Sequence, residues 1–312
     1  MPPDPDRRRR RRARRGEVWL HLGLHKTGTT HVQHQLRTLR ESLAADGVGT
    51  PDFGRHPGWP LIYWAAETPK AERHAPDPAR APLRAHAARA ETAERVETLL
   101  ADRSLPLVLL SAEQFSTQLA PRDVARLVRR LRRFGRRPRA VAYVRDPESF
   151  SAAMLQQVVL AGRPLADALE RPPLLRCGRR LGPWLRALGP ENVTIRVHDR
   201  SRLVRGDAFA DLLDAVGRPD IARAVTLEAS PRNPRLSAAG LQLLDLRNRA
   251  LGALAPGLAR RRPGLVHLIA QALPGAPATL PPETLSRIRR ATAADRRWLA
   301  RRLGEDPFGP GG

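Results

Sequence analysis

The chain has 312 residues, 41% of them hydrophobic, which is enough to bury the core of one large or two small domains. A single cysteine, Cys177, excludes an internal disulfide and a thiolate metal cluster, and it favours a reducing cytoplasm. The net charge of +24 suggests an anionic partner. Lysine occurs only at positions 26 and 70, however, so almost all the basic residues are arginines, as is typical of proteins encoded by GC-rich genomes. We therefore expect no nucleic-acid partner, and no apolar stretch reaches the roughly 18 residues that predict a membrane span.

Residues 1–16 are dominated by arginine, and a run of like charges does not pack, so we expect a disordered tail there. Residues 17–22, "EVWLHL", form a short apolar run that ends at Gly23. A helical pattern follows from Thr29 to Ala45. Strand, glycine loop and helix are the context that a phosphate-binding loop needs.

Residues 50–82 are rich in Pro, His and Trp and predict an irregular excursion, either a lid or the acceptor side of a site. The aromatic side chains in it are Trp59, Tyr63 and Trp64. Two interpretations stay open for them: they stack on a sugar or aromatic acceptor, or they pack against the core.

The remaining chain alternates between predicted helices and strands. After a polar helix over residues 83–102, "PLVLLSAEQFS" is typical of a buried parallel strand that ends between Ser111 and Glu113. Further helices are predicted at 121–135, from 148 onward, at 178–189 and in "DAFADLLDAVG", with strands at 140–144 and in "NVTIRVHD". The last third is helical, and residues 305–312 are expected to be a disordered tail.

This alternation predicts an α/β fold with a central parallel sheet, helices on both faces in a three-layer, P-loop NTPase-like arrangement, and a helical C-terminal part. We expect a single domain over residues 17–304. Ligands of such sheets bind beyond the carboxyl ends of the strands. Lys26, Glu113 and Arg145 each follow a predicted strand, so we expect them to converge on one cleft.

The stretch "GLHKTGTT", Gly23 to Thr30, keeps the glycine spacing of a nucleotide P-loop but moves its lysine. Thr29 follows the second glycine, Gly28, and Lys26 lies two residues before it. Backbone amides at a glycine turn that leads into a helix N-terminus form an anion site. In the bend, the Lys26 ammonium would neutralise charge on a leaving group without a metal.

This loop resembles the first motif of the sulfotransferases that use 3′-phosphoadenosine 5′-phosphosulfate. The resemblance implies that the loop holds the 5′-phosphosulfate and that its lysine assists departure of the phosphate. The matching residues are Lys26, Thr27, Gly28, Thr29 and Thr30. "LLSAEQFS" and "VHDRSRLVRGDAFADLLDAVG" are similar to later stretches of bacterial sulfotransferase-family proteins, so the resemblance covers residues 17–304 in outline and implies no metal.

The second motif of that family is an arginine after a later strand and a serine eight residues on, and both hold the 3′-phosphate. The resemblance assigns the arginine to Arg145. Ala153 stands where the serine is expected. Ser149, one helical turn earlier, is the residue that would compensate.

A sulfuryl acceptor must lose a proton as it attacks, so the site needs a base. Glu113 is our first choice and His25 our second; the alternative for Glu113 is a helix-capping or ion-paired carboxylate. His21, inside the first predicted strand, is expected to be a packed histidine.

We therefore expect a cytoplasmic sulfotransferase that transfers a sulfuryl group from 3′-phosphoadenosine 5′-phosphosulfate to a hydroxyl or amine of a small molecule or carbohydrate. Three alternatives stay open: a P-loop kinase or NTPase that uses ATP and magnesium, a basic nucleic-acid-binding protein with a vestigial loop, and a family member that binds the nucleotide without catalysis.

Overall fold

The computed structural model describes residues 16–54, 58–66, 81–229, 236–254 and 264–309. Its strands are β1 (Glu17–Leu22), β2 (Val48–Gly49), β3 (Leu107–Ala112), β4 (Arg137–Val144) and β5 (Val193–Val197). Its helices are α1 (Thr29–Thr38), α2 (Arg40–Ala45), α3 (Gly58–Ala65), α4 (Ala81–Ala101), α5 (Phe115–Gln118), α6 (Pro121–Arg133), α7 (Pro147–Leu160), α8 (Leu165–Glu170), α9 (Cys177–Leu188), α10 (Ala208–Ala215), α11 (Pro219–Ala224), α12 (Ala238–Leu254), α13 (Leu265–Ala272) and α14 (Pro282–Leu303).

The five strands form one parallel sheet in the order β2-β3-β1-β4-β5, which confirms the predicted α/β class. β1 lies at its centre, paired with β3 on one side and β4 on the other. In sequence order, β2 and β3 lie on one side of β1, and β4 and β5, which follow them, lie on the other side. The strand order therefore reverses at β1, and parallel sheets bind ligands beyond the carboxyl ends of strands at such a point.

Both faces of the sheet are buried, as expected for parallel strands. Val18, Leu20 and Leu22 point to one face of β1 and are fully buried, and Trp19 and His21 on the opposite face are buried as well. On the Trp19 face, α1 and α10 complete a hydrophobic cluster. On the other side of the sheet, α3 packs against β3 and α6 against β4.

α6 shows why these helices form where they do. Pro121 occupies its first turn, a position where the missing amide is tolerated, and the Asp123 carboxylate accepts a hydrogen bond from the Ala120 amide. Buried side chains recur at the three- and four-residue spacing of one helix face: Val124, Leu127, Val128 and Leu131.

A buried arginine joins the end of α4 to the start of β4. Arg136 is only 3% exposed. Its guanidinium donates hydrogen bonds to four backbone carbonyls, those of Leu99, Leu100, Asp102 and Leu105. Three of these belong to α4 or the residue after it, so Arg136 satisfies acceptors that a helix C-terminus leaves without amide partners.

Contacts group the described chain into two compact units. The first takes in described residues within 1–144 and 179–230 and contains the whole sheet. The second takes in described residues within 145–178 and 231–312 and is built from α7, α8, α12, α13 and α14, around a core that includes Leu155, Val159 and Leu244. The prediction of a single domain over 17–304 does not anticipate this division.

Three segments were predicted to be irregular or disordered. Within the excursion at 50–82, residues 58–65 form a helix, α3, rather than an irregular loop, because Leu61, Ile62 and Trp64 are buried in the core. Of the tail predicted at 305–312, only residues 305–309 are described, and there Asp306 and the Phe308 carbonyl accept hydrogen bonds from Arg296. The tail predicted at 1–16 lies outside the described residues except for Gly16.

The predicted helix from Thr29 to Ala45 is interrupted at Leu39, which separates α1 from α2. No helix within the described residues is both long enough and apolar enough to cross a membrane.

Candidate functional site

The loop from Gly23 to Thr30 connects the central strand β1 to α1, at the carboxyl edge where the strand order reverses. Two of its residues adopt left-handed backbone conformations: Gly28 with φ of 77° and Lys26 with φ of 62°. A left-handed conformation costs a non-glycine residue about 1–2 kcal/mol. The fold thus holds a lysine where glycine would be favoured, and such strain concentrates at functional sites.

The two glycines of the loop have no room for a side chain. A Cβ on Gly23 would lie 2.7 Å from the Thr29 hydroxyl oxygen and 2.8 Å from the Glu113 Cα. A Cβ on Gly28 would lie 3.0 Å from the Ala208 Cβ and 3.1 Å from His198 Nε2. The loop backbone therefore approaches the end of β3 and the segment after β5 closely.

The N-terminus of α1 has features that favour an anion. Gly28 is its N-cap and supplies no side-chain acceptor, and the first turn contains no acidic residue. The first amides of a helix point outward without intrahelical partners, and the helix dipole makes this end positive. The arrangement favours a phosphate or sulfate group.

The three threonines of the loop have different environments. The Thr27 hydroxyl is buried and donates to the Leu24 carbonyl at 2.6 Å, so its proton closes the loop instead of facing a ligand. Thr30 is exposed. The Thr29 hydroxyl oxygen is buried and has no hydrogen-bond partner among the described residues. An unpaired buried hydroxyl costs about 1–3 kcal/mol, so it is a donor for which the described residues supply no acceptor.

His25 and Glu113, our two candidates for the base, form a pair. His25 Nδ1 contacts Glu113 Oε1, and each side chain is 29% exposed. The Ser116 hydroxyl links the two backbone segments that carry this pair, because it lies 3.1 Å from the carbonyl oxygens of both Gly23 and Glu113. The structure therefore joins Glu113, which follows β3, to the loop that contains Lys26, as the strand-end argument predicts.

Two further histidines lie near the loop, and no sequence motif pointed to either. His198 follows β5, where its amide donates to the Val144 carbonyl at 2.7 Å and its ring lies against Gly28. His31 on α1 contacts Asp207, the N-cap of α10, at 2.8 Å. Burial raises the pKa of Asp207, but the hydrogen bonds from His31 and the α10 amides outweigh burial and leave it below its usual value.

His21 is a packed histidine, as predicted. It is fully buried in β1, its Nδ1 lies 2.9 Å from the Ser111 hydroxyl on β3, and its ring meets the edge of Tyr143. Its Nε2 has no hydrogen-bond partner among the described residues. Burial lowers the pKa of His21 to about 4, because a charged imidazole is poorly solvated there.

Arg145 belongs to the second unit, where α7 begins two residues later. Its Nε donates to the Ser149 hydroxyl at 2.9 Å, and Asp146 caps α7 through the Ser149 amide. Ser149, the residue expected to compensate for Ala153, is thus hydrogen-bonded to Arg145.

Of the three aromatic residues in the excursion, Trp64 packs against the core, and stacking of Trp59 and Tyr63 on an acceptor stays a prediction. Trp64 is 2% exposed and packs in the core, with the Arg130 guanidinium 4.6 Å from its ring centroid. Trp59 and Tyr63 are only partly buried, and their ring centroids lie 6.1 Å apart.

The arrangement offers an anion cradle and, beside it, a carboxylate and an imidazole able to take up a proton. Comparison with protein-family models, with curated proteins and with solved structures finds no match to this chain.

Proposed function

We propose that the protein is a sulfotransferase that moves a sulfuryl group from 3′-phosphoadenosine 5′-phosphosulfate to a hydroxyl or amine. The observation that carries the proposal is the buried Thr29 hydroxyl, unpaired among the described residues, at the uncapped start of α1. It lies in a loop whose glycines leave no space for a side chain. The Thr29 hydroxyl and the first amides of α1 are donors that suit a tetrahedral anion with several acceptor oxygens. We also propose that the fold is P-loop-like.

In this mechanism the loop residues stabilise the leaving group. As the acceptor oxygen bonds to sulfur, the bond from sulfur to the phosphate oxygen breaks and its electron pair stays on that phosphate. The Lys26 ammonium and the amides at the start of α1 neutralise the charge that develops there. Because the Thr27 hydroxyl donates to the Leu24 carbonyl, Thr27 contributes its backbone and not its side chain.

The acceptor proton goes to the pair formed by His25 and Glu113. With the Nδ1 proton donated to the Glu113 carboxylate, the imidazole keeps a lone pair on Nε2, and the carboxylate keeps its second oxygen. Each is a base when unprotonated, and the carboxylate fixes the orientation of the ring. Glu113 remains our first choice, with His25 as the positioning partner.

Nucleotide binding tests the proposal without knowledge of the acceptor. Titration calorimetry with 3′-phosphoadenosine 5′-phosphate in EDTA should show binding much tighter than that of AMP or ATP, and Lys26→Ala should weaken it at least tenfold. Magnesium-dependent binding of ATP alone would instead support a P-loop kinase or NTPase. Affinity for nucleic acid that survives Lys26→Ala would support the nucleic-acid-binding alternative.

The assignment of Arg145 to the 3′-phosphate stays a prediction from the sequence, and it has its own test. Arg145→Ala should reduce affinity for the bisphosphate to that for AMP while leaving AMP binding unchanged. Ser149→Ala should act in the same direction with a smaller effect, since Ser149 positions the guanidinium. Equal affinities of the unmodified protein for the two nucleotides would remove this assignment.

Labelled-sulfate transfer assigns the base. Glu113→Gln should lower kcat by about 10²–10⁴ with little effect on nucleotide affinity. His25→Ala should lower it less. Full turnover by Glu113→Gln would exclude the carboxylate as the base.

A further inference from the structure

The second compact unit contains a cavity of about 330 Å³ where α7 and α14 pack against each other. On α14, the described lining residues recur at the three- and four-residue spacing of one helix face: Arg289, Thr292, Ala293, Arg296, Arg297 and Ala300. The cap and first turn of α7, residues 146–148, and Asp306 after the end of α14 complete the described lining. The volume lies at the lower end of the range of about 300–1,000 Å³ for small-molecule sites, so the cavity suits a molecule of amino acid size.

The cavity has a small apolar part. Ala293 and Ala300 are seven residues apart, about two turns of α14, and present only methyl groups to the cavity. The Pro147 ring on α7 adds further apolar surface. All the other described lining residues except Thr292 are charged, so the charged groups decide which ligand fits.

Two arginines of the cavity are paired with carboxylates. Arg289 Nε lies 2.5 Å from the Glu148 Oε1 atom. Arg296 Nε lies 2.9 Å from both carboxylate oxygens of Asp306, and a terminal nitrogen of Arg296 donates to the Phe308 carbonyl at 2.8 Å. These two guanidiniums are therefore largely neutralised before any ligand binds.

One guanidinium and one carboxylate oxygen of the cavity are left for a ligand. Arg297 is exposed and makes no hydrogen bond or ion pair with the residues that the structure describes. Asp146 accepts the Ser149 amide through Oδ1 at 2.8 Å, and its Oδ2 has no such partner in the described part of the chain. The charge of Asp146 reaches across to α14: the hydrogen bond with Asp306 raises the pKa of Arg296, and the charges of Asp146 and Glu148 act in the same direction.

The charge balance of the cavity selects a ligand of zero net charge. Its described lining holds three carboxylates and three guanidiniums, so a ligand with a net charge would bring one charge without a counterpart. A zwitterion instead offers an anion to Arg297 on α14 and a cation to Asp146 at the start of α7.

We propose that this cavity binds a free amino acid, whose carboxylate pairs with Arg297 and whose ammonium group pairs with Asp146. The site lies in the second unit, goes beyond the proposed sulfotransferase function and does not depend on it.

The experiment uses the full chain and individual amino acids as probes. Saturation-transfer NMR with each of the protein amino acids in turn identifies those that bind, and calorimetry measures the Kd of the best one. Two derivatives of that amino acid each lack one charge: the N-acetyl form lacks the ammonium group, and the amide lacks the carboxylate. Both are titrated beside it.

The variants change one property of the cavity at a time, and thermal melting establishes that each is folded. Arg297→Gln removes the unpaired guanidinium; its control is Arg290→Gln, at an exposed arginine of α14 outside the described lining. Ala293→Leu fills space without a change of charge; its control is Ala294→Leu, at the exposed alanine next to it. Asp146→Asn removes the carboxylate charge and keeps a residue that caps helices well.

We expect at least one amino acid to bind the unmodified protein with a Kd of about 1 mM or below. Arg297→Gln and Ala293→Leu should each weaken this binding roughly tenfold or more, and Asp146→Asn should weaken it several-fold. Both controls should leave it unchanged. The N-acetyl derivative and the amide should each bind more weakly than the parent amino acid.

The proposal is overturned if no amino acid binds saturably to the unmodified protein, or if Arg297→Gln and Arg290→Gln have the same effect. It is also overturned if the N-acetyl derivative binds as tightly as the parent, because the ammonium group is then not recognised. Lys26→Ala, in the first unit, should leave amino acid binding unchanged. Loss of bisphosphate binding with intact amino acid binding would therefore count against the sulfotransferase function alone.

Discussion

The buried histidine of the central strand makes the stability of the protein depend on pH. His21 is fully buried, with its Nδ1 2.9 Å from the Ser111 hydroxyl, and its Nε2 has no partner among the described residues. A second ring proton would need an acceptor that its surroundings do not provide. Burial therefore lowers the pKa of His21 from its ordinary 6.5 to about 4.

The sign and size of the effect follow from proton linkage. Between pH 6.5 and about 4, the unfolded chain binds a proton at His21 that the folded chain does not. The unfolding free energy is therefore highest above pH 6.5 and falls as the pH drops toward 4. At 1.36 kcal/mol for each pKa unit, the loss is about 3 kcal/mol.

Urea unfolding at several pH values between 7.5 and 4.5 measures this loss, with His21→Asn as the matched variant because its amide does not titrate. The unmodified protein should lose about 2.5 kcal/mol more than the variant over this range, because titration is not complete at pH 4.5. Carboxylates that titrate in both proteins cancel in the comparison. Parallel pH profiles of the two proteins would refute the assignment of a neutral buried imidazole.

Two further predictions concern Gly28 in the loop and the buried Arg136. Gly28→Ala should destabilise the protein by about 1–3 kcal/mol and weaken binding of 3′-phosphoadenosine 5′-phosphate, because its Cβ would press on His198. The control is Gly217→Ala, at a residue with φ of 85° and no atom within 4 Å of the added Cβ. This variant should lose about 1 kcal/mol of unfolding free energy and bind the nucleotide normally. Calorimetry and chemical denaturation of both variants test this, and equal effects on binding would contradict it. Arg136→Met should lower the unfolding free energy by about 3–5 kcal/mol, since four carbonyls lose their donor. Its control is Arg133→Met at an exposed position of α6, which should change the unfolding free energy by less than about 0.5 kcal/mol. Similar denaturation midpoints for the two variants would contradict a stabilising role of the Arg136 hydrogen bonds.

The parts of the fold that sequence patterns predict are those with a clear periodicity or an unbroken apolar run. β1, β3 and β4 are apolar because both faces of the sheet are covered, and the helix α6 has a regular buried face. The helix α3 was not predicted because several sides of it are buried, so its short sequence "GWPLIYWA" lacks the polar face by which a helix is recognised. β2 has only two residues, too few for any pattern.

The candidate site divides in a similar way. The loop could be predicted because glycine, lysine and threonine at this spacing between a strand and a helix are typical of an anion-binding turn, which depends on local backbone conformation. His25 follows β1 and Glu113 follows β3, so the contact between them depends on the pairing of the two strands. Only the rule that ligands bind beyond the carboxyl ends of parallel strands pointed toward it. His198 is a lone histidine after a strand, with no motif around it, and its place beside Gly28 depends on tertiary structure alone.

The central position of β1 also has a consequence for how the protein is made. Of the described strands, β1 leaves the ribosome before the others, yet its neighbour on one side begins far downstream: His21 and its partner Ser111 are 90 residues apart. At a synthesis rate of about 5–20 residues per second, the nascent strand waits about 5–18 s for that neighbour. The strand on the other side, β4, emerges later still. The apolar "EVWLHL" segment is therefore a site where a chaperone that binds nascent chains would have time to act.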